Sequence, residues 1–538
     1  MSTGMRSPKS RRKRNPNPKT ASLSSESIVP LLTSGPIKLS CEYLGEPELV
    51  FSDKRHCEDP RTGLTAFGPY SKTDVTRRTV IRVGIVGPAD AIDRALALLK
   101  QMSQPIAQTD KVDAMLHPSF PGLNIGEPFQ IEMVTQELWH RALRVPDVAA
   151  VEAHPDFTVR VQLLLDAVIK EVRALKQLDP APDLILVAMT EKLEKLCKVG
   201  IRQHDIETNL AEEEDDLADV EENTVGSDAT NNSEETQATT DDSDSSRSFR
   251  RGLKAKCLDL LPTQLLWHRT LVGSRGVQDL PTRAWNLSVA LLYKAGIVPW
   301  RLADVMHGSC FVGISFFHPD GATSNSIRSS VAQAFTDGGE GFVLQGERFD
   351  WKPSKEERDK SPHLSREAAR NLIARVLQTY EDQLHSKPRR VVIHKSSRFT
   401  EEERLGFEEA LADIGQYGLI TIARHGTCCL RPGNKPVLRG TIVDFGEKKG
   451  LVFTIGYIPF LRCYPGFRIP QPLEIVENWG SLPFRDVAAD LLRLTKLNWN
   501  TAAFSCVDPI TLAFSRRVGE ILKIANSDNP ALHYRYYM

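Results

Sequence analysis

The sequence predicts an α/β protein of more than one domain, and three observations carry that reading. Val80-Ile-Arg-Val-Gly-Ile-Val86 is an apolar run broken only by Arg82, the pattern of a strand buried in a parallel sheet. It runs through Gly87-Pro88 into a helix-period stretch with Ile92, Leu96 and Leu99 on one face. The unit then recurs: a helical pattern from Val159 to Leu178 leads into the strand Asp183-Leu-Ile-Leu-Val-Ala-Met189, and such alternation defines a layered α/β architecture. Finally, 538 residues exceed what one compact core accommodates. An incomplete glycine pattern at Gly84 and Gly87 argues against a dinucleotide fingerprint.

Composition narrows the class. No run of roughly 18 apolar residues is present and the N-terminus is polar and basic, so neither a membrane span nor a secretory signal is expected, and a cytoplasmic location is. The nine cysteines include no C-x-x-C pair, so they are expected to be reduced and mostly buried. Net charge is only −1, but it averages segments of opposite sign. Residues 1–40 carry Arg11-Arg-Lys-Arg14 in a Ser- and Pro-rich context, the composition of a disordered basic tail. Between Asp205 and Ser246 lie sixteen acidic residues and no Lys or Arg, which predicts a disordered acidic insertion.

Immediately after that insertion the sign flips. Phe249-Arg-Arg-Gly-Leu-Lys-Ala-Lys256 places Arg250 and Lys254 four apart, on one helical face. Thr263-Gln264 follows in a short strand, and Asn286-Leu-Ser-Val-Ala-Leu-Leu-Tyr-Lys294 is a helix with its basic group at the C-terminal end. Together these pieces resemble the MID domain of Argonaute proteins. The resemblance implies a pocket for a guide's 5′ phosphate made by Arg250, Lys254, Gln264 and Lys294. Several cations suit such an anion, since guanidinium and ammonium donors make charge-assisted hydrogen bonds to phosphate. Ala290 stands where many relatives carry a second lysine, which makes a Mg²⁺ ion at the phosphate an expectation of the resemblance.

The rest of the chain resembles the PIWI domain in the order of its features: Ile297-Val-Pro-Trp-Arg-Leu302, the strand Phe311 to Phe317 before His318-Pro319, the strand Arg390-Val-Val-Ile-His-Lys395, then Leu438-Arg-Gly-Thr441 and Leu494-Thr-Lys-Leu-Asn-Trp499. The implied fold is a Rossmann-like MID domain plus an RNase H-like PIWI domain with no PAZ domain, as in short prokaryotic Argonautes. The implied boundaries are a tail at 1–40, a strand-and-turn segment at 41–78, MID at 79–295 with the insertion at 205–247, and PIWI at 296–538. A slicing PIWI domain holds two divalent ions about 4 Å apart with carboxylates. Here the matching positions carry Ser315, Ser396 and Phe514, and Glu340 and Glu347 cannot replace a full ligand set. Arg390, Lys395, Arg439 and Lys496, with Arg389, Arg398, Arg431, Arg516 and Arg517, are expected to neutralise the nucleic-acid backbone.

The resemblance thus implies a protein that does not cut. It would bind a 5′-phosphorylated guide, RNA in the first instance, recognise complementary single-stranded DNA by base pairing, and pass the signal to a partner. In this family the partner carries an APAZ region fused to a TIR or sirtuin-like domain that degrades NAD⁺, or to a nuclease, in defence against plasmids or phage. The alternative, an active guide-directed endonuclease, is opposed by Ser315 and Ser396. A small-molecule α/β enzyme is opposed by the lack of a nucleophile, base and orienter at recognisable spacing.

Overall fold

The computed structural model describes residues 39–74, 78–108, 114–198, 248–273, 277–318, 326–336, 341–350, 361–429, 431–466, 468–525 and 531–538. The basic tail, the acidic insertion and Glu340 lie outside the described residues. Among the described residues no helix is long and apolar enough to cross a membrane.

The segment that opens the described chain does not stand by itself. Its first strand, β1 (Ser40–Tyr43), pairs antiparallel with a strand some four hundred residues on, Cys41 opposite Val443. Two short strands, β2 (Leu49–Val50) and β3 (His56–Cys57), form a small sheet with β9 (Arg301–Leu302). Helix α1 (Pro60–Phe67) follows, started by the Asp59 carboxylate accepting from Thr62 N at 2.7 Å.

The first large sheet is parallel and runs β5-β4-β7-β8, with β6 also paired to β4. Its strands are β4 (Val80–Gly87), β5 (Glu132–Val134), β6 (His140–Ala142), β7 (Leu184–Ala188) and β8 (Thr263–Leu266). Side chains alternate across it. Val83, Ile85, Leu184 and Leu186 pack with α2 (Ala89–Met102), whereas Val86, Ile185 and Val187 pack with α4 (Phe157–Lys176). Both faces are therefore covered, which is why these strands read as continuous apolar runs. Arg82, the one break, donates to Asp183 Oδ1 at 2.8 Å at the sheet margin. Also in this half are α3 (Val145–Ala153), α5 (Glu191–Cys197), α6 (Phe249–Cys257), α7 (His268–Val272) and α8 (Leu280–Lys294).

The second large sheet has nine strands in the order β1-β15-β16-β17-β14-β13-β10-β11-β12. At its heart are β10 (Ser309–Phe317), β11 (Ser326–Thr336) and β12 (Gly341–Asp350), joined antiparallel, with β13 (Arg390–Lys395) and β14 (Gln416–Arg424) parallel to β10 on its other side. This is the strand order of an RNase H-like sheet. It is extended by β15 (Thr441–Gly446), β16 (Lys449–Val452) and β17 (Leu473–Gly480). Val312, Ile314, Val391 and Ile393 meet α9 (Arg366–Leu384) and α10 (Glu401–Ala410) on one face. Phe311 and Val392 meet α12 (Ile510–Ala525) on the other, where α11 (Phe484–Leu494) also packs.

Gly313 lets α12 approach. A Cβ there would lie 1.9 Å from the Thr511 carbonyl oxygen, so only glycine allows the first turn of α12 to rest on the middle of β10. The cysteines are all free, as expected, but Cys41 and Cys428 are exposed and only Cys197, Cys257, Cys310 and Cys506 are buried. Cys41 lies on an edge strand and Cys428 in a loop, positions where apolar side chains are not enclosed.

Candidate nucleic-acid interface

The cationic residues singled out by the resemblance lie around β8, the terminal strand of the first sheet. Lys254, in the last turn of α6, donates from Nζ to the Thr263 carbonyl oxygen. Lys294, the last residue of α8, donates from Nζ to Gln264 Oε1, and Gln264 Nε2 donates to the Leu265 carbonyl at 3.2 Å. Both lysines are nearly enclosed, at 3% and 2% exposure. Arg250, half-buried, lies one turn before Lys254 on α6. The neighbouring Arg251 instead bridges to Glu520 of α12 at 2.7 Å, tying α6 to the second half of the chain.

The structure thus brings Lys254, Gln264 and Lys294 together and sets Arg250 on the same helix. Burying an ammonium group costs desolvation, which hydrogen bonds and a nearby anion offset. Thr263 Oγ1 is buried there with no hydrogen-bond partner among the described residues. Of these groups the ammonium nitrogens only donate, so a Mg²⁺ ion at the phosphate would draw on Gln264 Oε1, Thr263 Oγ1 and the phosphate oxygens themselves. Among the described residues no group of three His, Cys, Asp or Glu side chains is placed to hold a metal. Asn286, from the same predicted helix, faces elsewhere. Its Oδ1 accepts from Thr501 Oγ1 and Ala502 N, both at 2.9 Å, and so fastens α8 to a loop of the second half.

The three positions without acids also converge. Ile314 of β10 is in register with Lys395 of β13, Lys395 with Thr421 of β14, and Thr421 with Glu477 of β17. Ser315 is the next residue of β10, and Ser396 is the first residue past the end of the adjacent parallel strand β13. Ser315 Oγ donates to the Ser515 carbonyl of α12 at 2.8 Å. Phe514, beside Ser515, is buried and stacked on Tyr534 with centroids 4.2 Å apart and planes 18° from parallel. At this end of the sheet, then, a serine hydroxyl donates to a backbone carbonyl and an aromatic pair packs beside it.

The four backbone-binding candidates require correction. Arg390 is 5% exposed and donates to Asp490, itself buried. Lys395 is 1% exposed and contacts Glu403 at 2.6 and 2.7 Å. Glu403 is also the third residue of the α10 capping box with Thr400. Burial pushes its carboxyl upward, but hydrogen bonds from His363 and Lys395 hold it below the ordinary range. Arg439 is fully buried, with Nε 2.9 Å from Glu46 Oε2 and further bonds to the Thr454 carbonyl and, at 2.8 Å, to Thr495 Oγ1. Lys496, 2% exposed, reaches Glu46 Oε1 at 2.8 Å and the Glu58 carbonyl at 2.7 Å. All four are cations folded inward onto carboxylates of the same chain, so none presents charge to a phosphate backbone.

Other cations do reach solvent. Arg398, two residues after Ser396, lies 3.7 Å from Glu477, and Arg424 and Arg516 share Asp508 at 3.0 and 3.7 Å, their side chains 65%, 50% and 46% exposed. Sequence reading had included Arg398 and Arg516 among many basic residues and missed Arg424. Its only signal was its position at the C-terminal end of an apolar run.

A cationic cluster at the edge of a parallel sheet, beside an RNase H-like sheet, is the layout of an Argonaute-like fold, and comparison with known proteins agrees. No family model matches the chain. Protein argonaute of Aquifex aeolicus is 22% identical over 269 residues, 49% of this chain and 34% of that protein. The structure of the Aquifex aeolicus Argonaute with externally bound siRNA superposes with a TM-score of 0.53 and 14% identity, covering 92% of this chain and 56% of the other. Clostridium butyricum Argonaute bound to a guide DNA and a 19-mer target DNA gives 0.54 and 13%, covering 91% and 54%. The chain therefore spans little more than half the length of these Argonautes, and at this identity the likeness establishes the fold.

Proposed function

We propose that this chain is a short Argonaute, a guide-loaded sensor of nucleic acid that does not cut. It holds the 5′ phosphate of a guide, RNA in the first instance, through Arg250, Lys254, Gln264 and Lys294, and pairs the guide with complementary single-stranded DNA. The convergence of Lys254, Gln264 and Lys294 at the end of β8 carries this reading, because enclosed ammonium groups at a sheet edge suit a terminal phosphate better than any neutral ligand. The structural relatives support it, one being bound to siRNA and another to guide and target DNA. The residues Ser315, Ser396 and Phe514 support the absence of slicing. Output then falls to a second polypeptide, an APAZ-containing effector with a TIR or sirtuin-like NADase or a nuclease, which this chain switches on when a target of plasmid or phage origin is paired.

The test compares guides with a 5′ phosphate and a 5′ hydroxyl on wild-type protein and on Lys254→Ala and Lys294→Ala. Each variant is expected to bind the phosphorylated guide about tenfold or more weakly, since one charge-assisted contact is lost, and the hydroxyl guide about as well as wild type. Equal losses for both guides would sink the pocket assignment. For the effector, NAD⁺ loss or DNA breakage by the mixed polypeptides must require both guide and matched target.

A further inference from the structure

Three cysteines gather at the outer edge of the nine-stranded sheet. β1 is its terminal strand and is exposed at all four residues. Glu42 turns toward α11, where it accepts from Arg485 Nε at 2.9 Å. Cys41, the preceding residue, therefore points to the opposite face, beside Val443, its partner in register on β15. Val443 belongs there to a small apolar cluster with Val437, Leu451 and Phe453, and Cys429 packs against that cluster. Two thiols from distant parts of the chain are thus laid on one patch of the sheet. The Cys429 thiol is pushed up by burial, then by Cys41 and by Cys428, so both of those sulfurs stand within electrostatic reach of it.

The backbone around the pair allows it to close. Residues 425–429 follow directly on β14 and have no regular structure. Their start is fastened, since His425 N donates to the Pro472 carbonyl at 3.2 Å and Thr427 N to His425 Nδ1 at 3.1 Å. A Cβ on Gly426 would meet nothing within 4 Å. The end that carries Cys429 can therefore shift without unpacking the sheet, whereas Cys41 is held by its ladder to β15. Cys428 is exposed, but a bond to its chain neighbour Cys429 would close a small, strained ring.

We propose that Cys41 and Cys429 form a reversible disulfide in the presence of a low-molecular-weight disulfide such as oxidised glutathione, which makes the attachment of the edge strand β1 covalent. The exposed Cys41 thiol loses its proton to solvent and attacks one sulfur of the small disulfide, releasing one small thiolate. Cys429 then loses its proton and attacks the Cys41 sulfur of the mixed disulfide. The bond to the small molecule breaks and the second small thiolate leaves. The two departing thiolates take up the two protons, so two protein thiols are oxidised and one small disulfide is reduced. In a reducing compartment such bonds are transient and serve as sensors. Here the bond would hold the strand that leads into Glu46, the carboxylate on which Arg439 and Lys496 converge. The proposal is independent of the guide-binding reading above.

The experiment incubates the full chain, freed of reductant, with oxidised glutathione, blocks the remaining thiols with N-ethylmaleimide and maps the peptides by mass. A peptide pair joined through Cys41 and Cys429 is expected, and dithiothreitol should separate it. Cys428→Ser should form the same pair, and Cys41→Ser and Cys429→Ser should not. Hydrogen exchange of the Ser40–Tyr43 amides should slow about tenfold on oxidation, because local opening of a terminal strand is then restrained. Glutathione left on Cys41 with no protein bond, or a bond made by Cys428 in wild type, overturns the inference. So does an exchange rate that oxidation leaves unchanged.

Discussion

Replacing Glu46 with Gln separates two roles for the same cations. Glu46, 3% exposed in its side chain, is the common partner of Arg439 and Lys496, both 0% exposed in theirs. Glutamine keeps one acceptor oxygen but removes the charge, leaving two buried cations without their anion. Breaking a buried pair in this way costs about 3–5 kcal/mol, against about 0.2–1 kcal/mol for a solvent-exposed pair. Arg439 keeps its bonds to the Thr454 carbonyl and Thr495 Oγ1, and Lys496 keeps the Glu58 carbonyl, which places the cost near the lower end. The unfolding midpoint should fall by about 3–6 °C, the larger value if the second half of the chain unfolds by itself. Burial alone would raise the Glu46 carboxyl, but Arg439 and Lys496 hold it below its usual 4.5. A depressed carboxylate contributes stability above its unfolded pKa and loses it as pH falls through the folded value. The gap between wild type and variant is therefore full at neutral pH and closes well below pH 4.5. The assay is thermal unfolding across pH, with target binding measured in parallel. Had Arg439 and Lys496 been contacts to the nucleic-acid backbone, the substitution would free two cations, leave the midpoint in place and tighten binding. That outcome would refute the inward-facing assignment.

His394, fully buried on β13 with Nδ1 2.8 Å from Thr511 Oγ1, is pushed down to about 3 by burial and then by Arg390. The unfolded chain binds this proton first, so wild-type stability should drop by about 1.4 kcal/mol per pH unit as pH falls below 6.5. His394→Gln should flatten that slope, and an unchanged slope would show that other groups carry it. Ser315→Asp with Ser396→Asp should cleave a guide-matched strand no better than wild type in Mg²⁺ or Mn²⁺, because two carboxylates beside the buried Phe514 ring are too few ligands for two metals. The double variant should also unfold earlier, since a carboxylate at 315 faces the Ser515 carbonyl that the hydroxyl now satisfies. Guide-dependent cleavage by the wild-type chain alone would overturn the non-slicing reading.

The central strands of both sheets were legible from sequence because burial on two faces imposes a local signature. Val80–Val86, Asp183–Met189 and Arg390–Lys395 are apolar runs that few other environments tolerate. Lys254, Gln264 and Lys294 were singled out by the resemblance to the MID domain, and the fold sets both lysines against β8. The direction of a lone cation was not readable. Arg390 finds Asp490 a hundred residues away, and Arg439 finds Glu46 across 393 residues; no window of sequence contains both members of either pair. Lys395 is the partial exception, because the Thr400-x-x-Glu403 capping box marks a carboxylate eight residues on. The type of a side chain is written in the sequence, whereas its partner is selected by which distant segments the sheet brings together. Charge is thus determined locally, but whether it meets solvent or another side chain was decided only when β1 joined the nine-stranded sheet and α12 settled on β10.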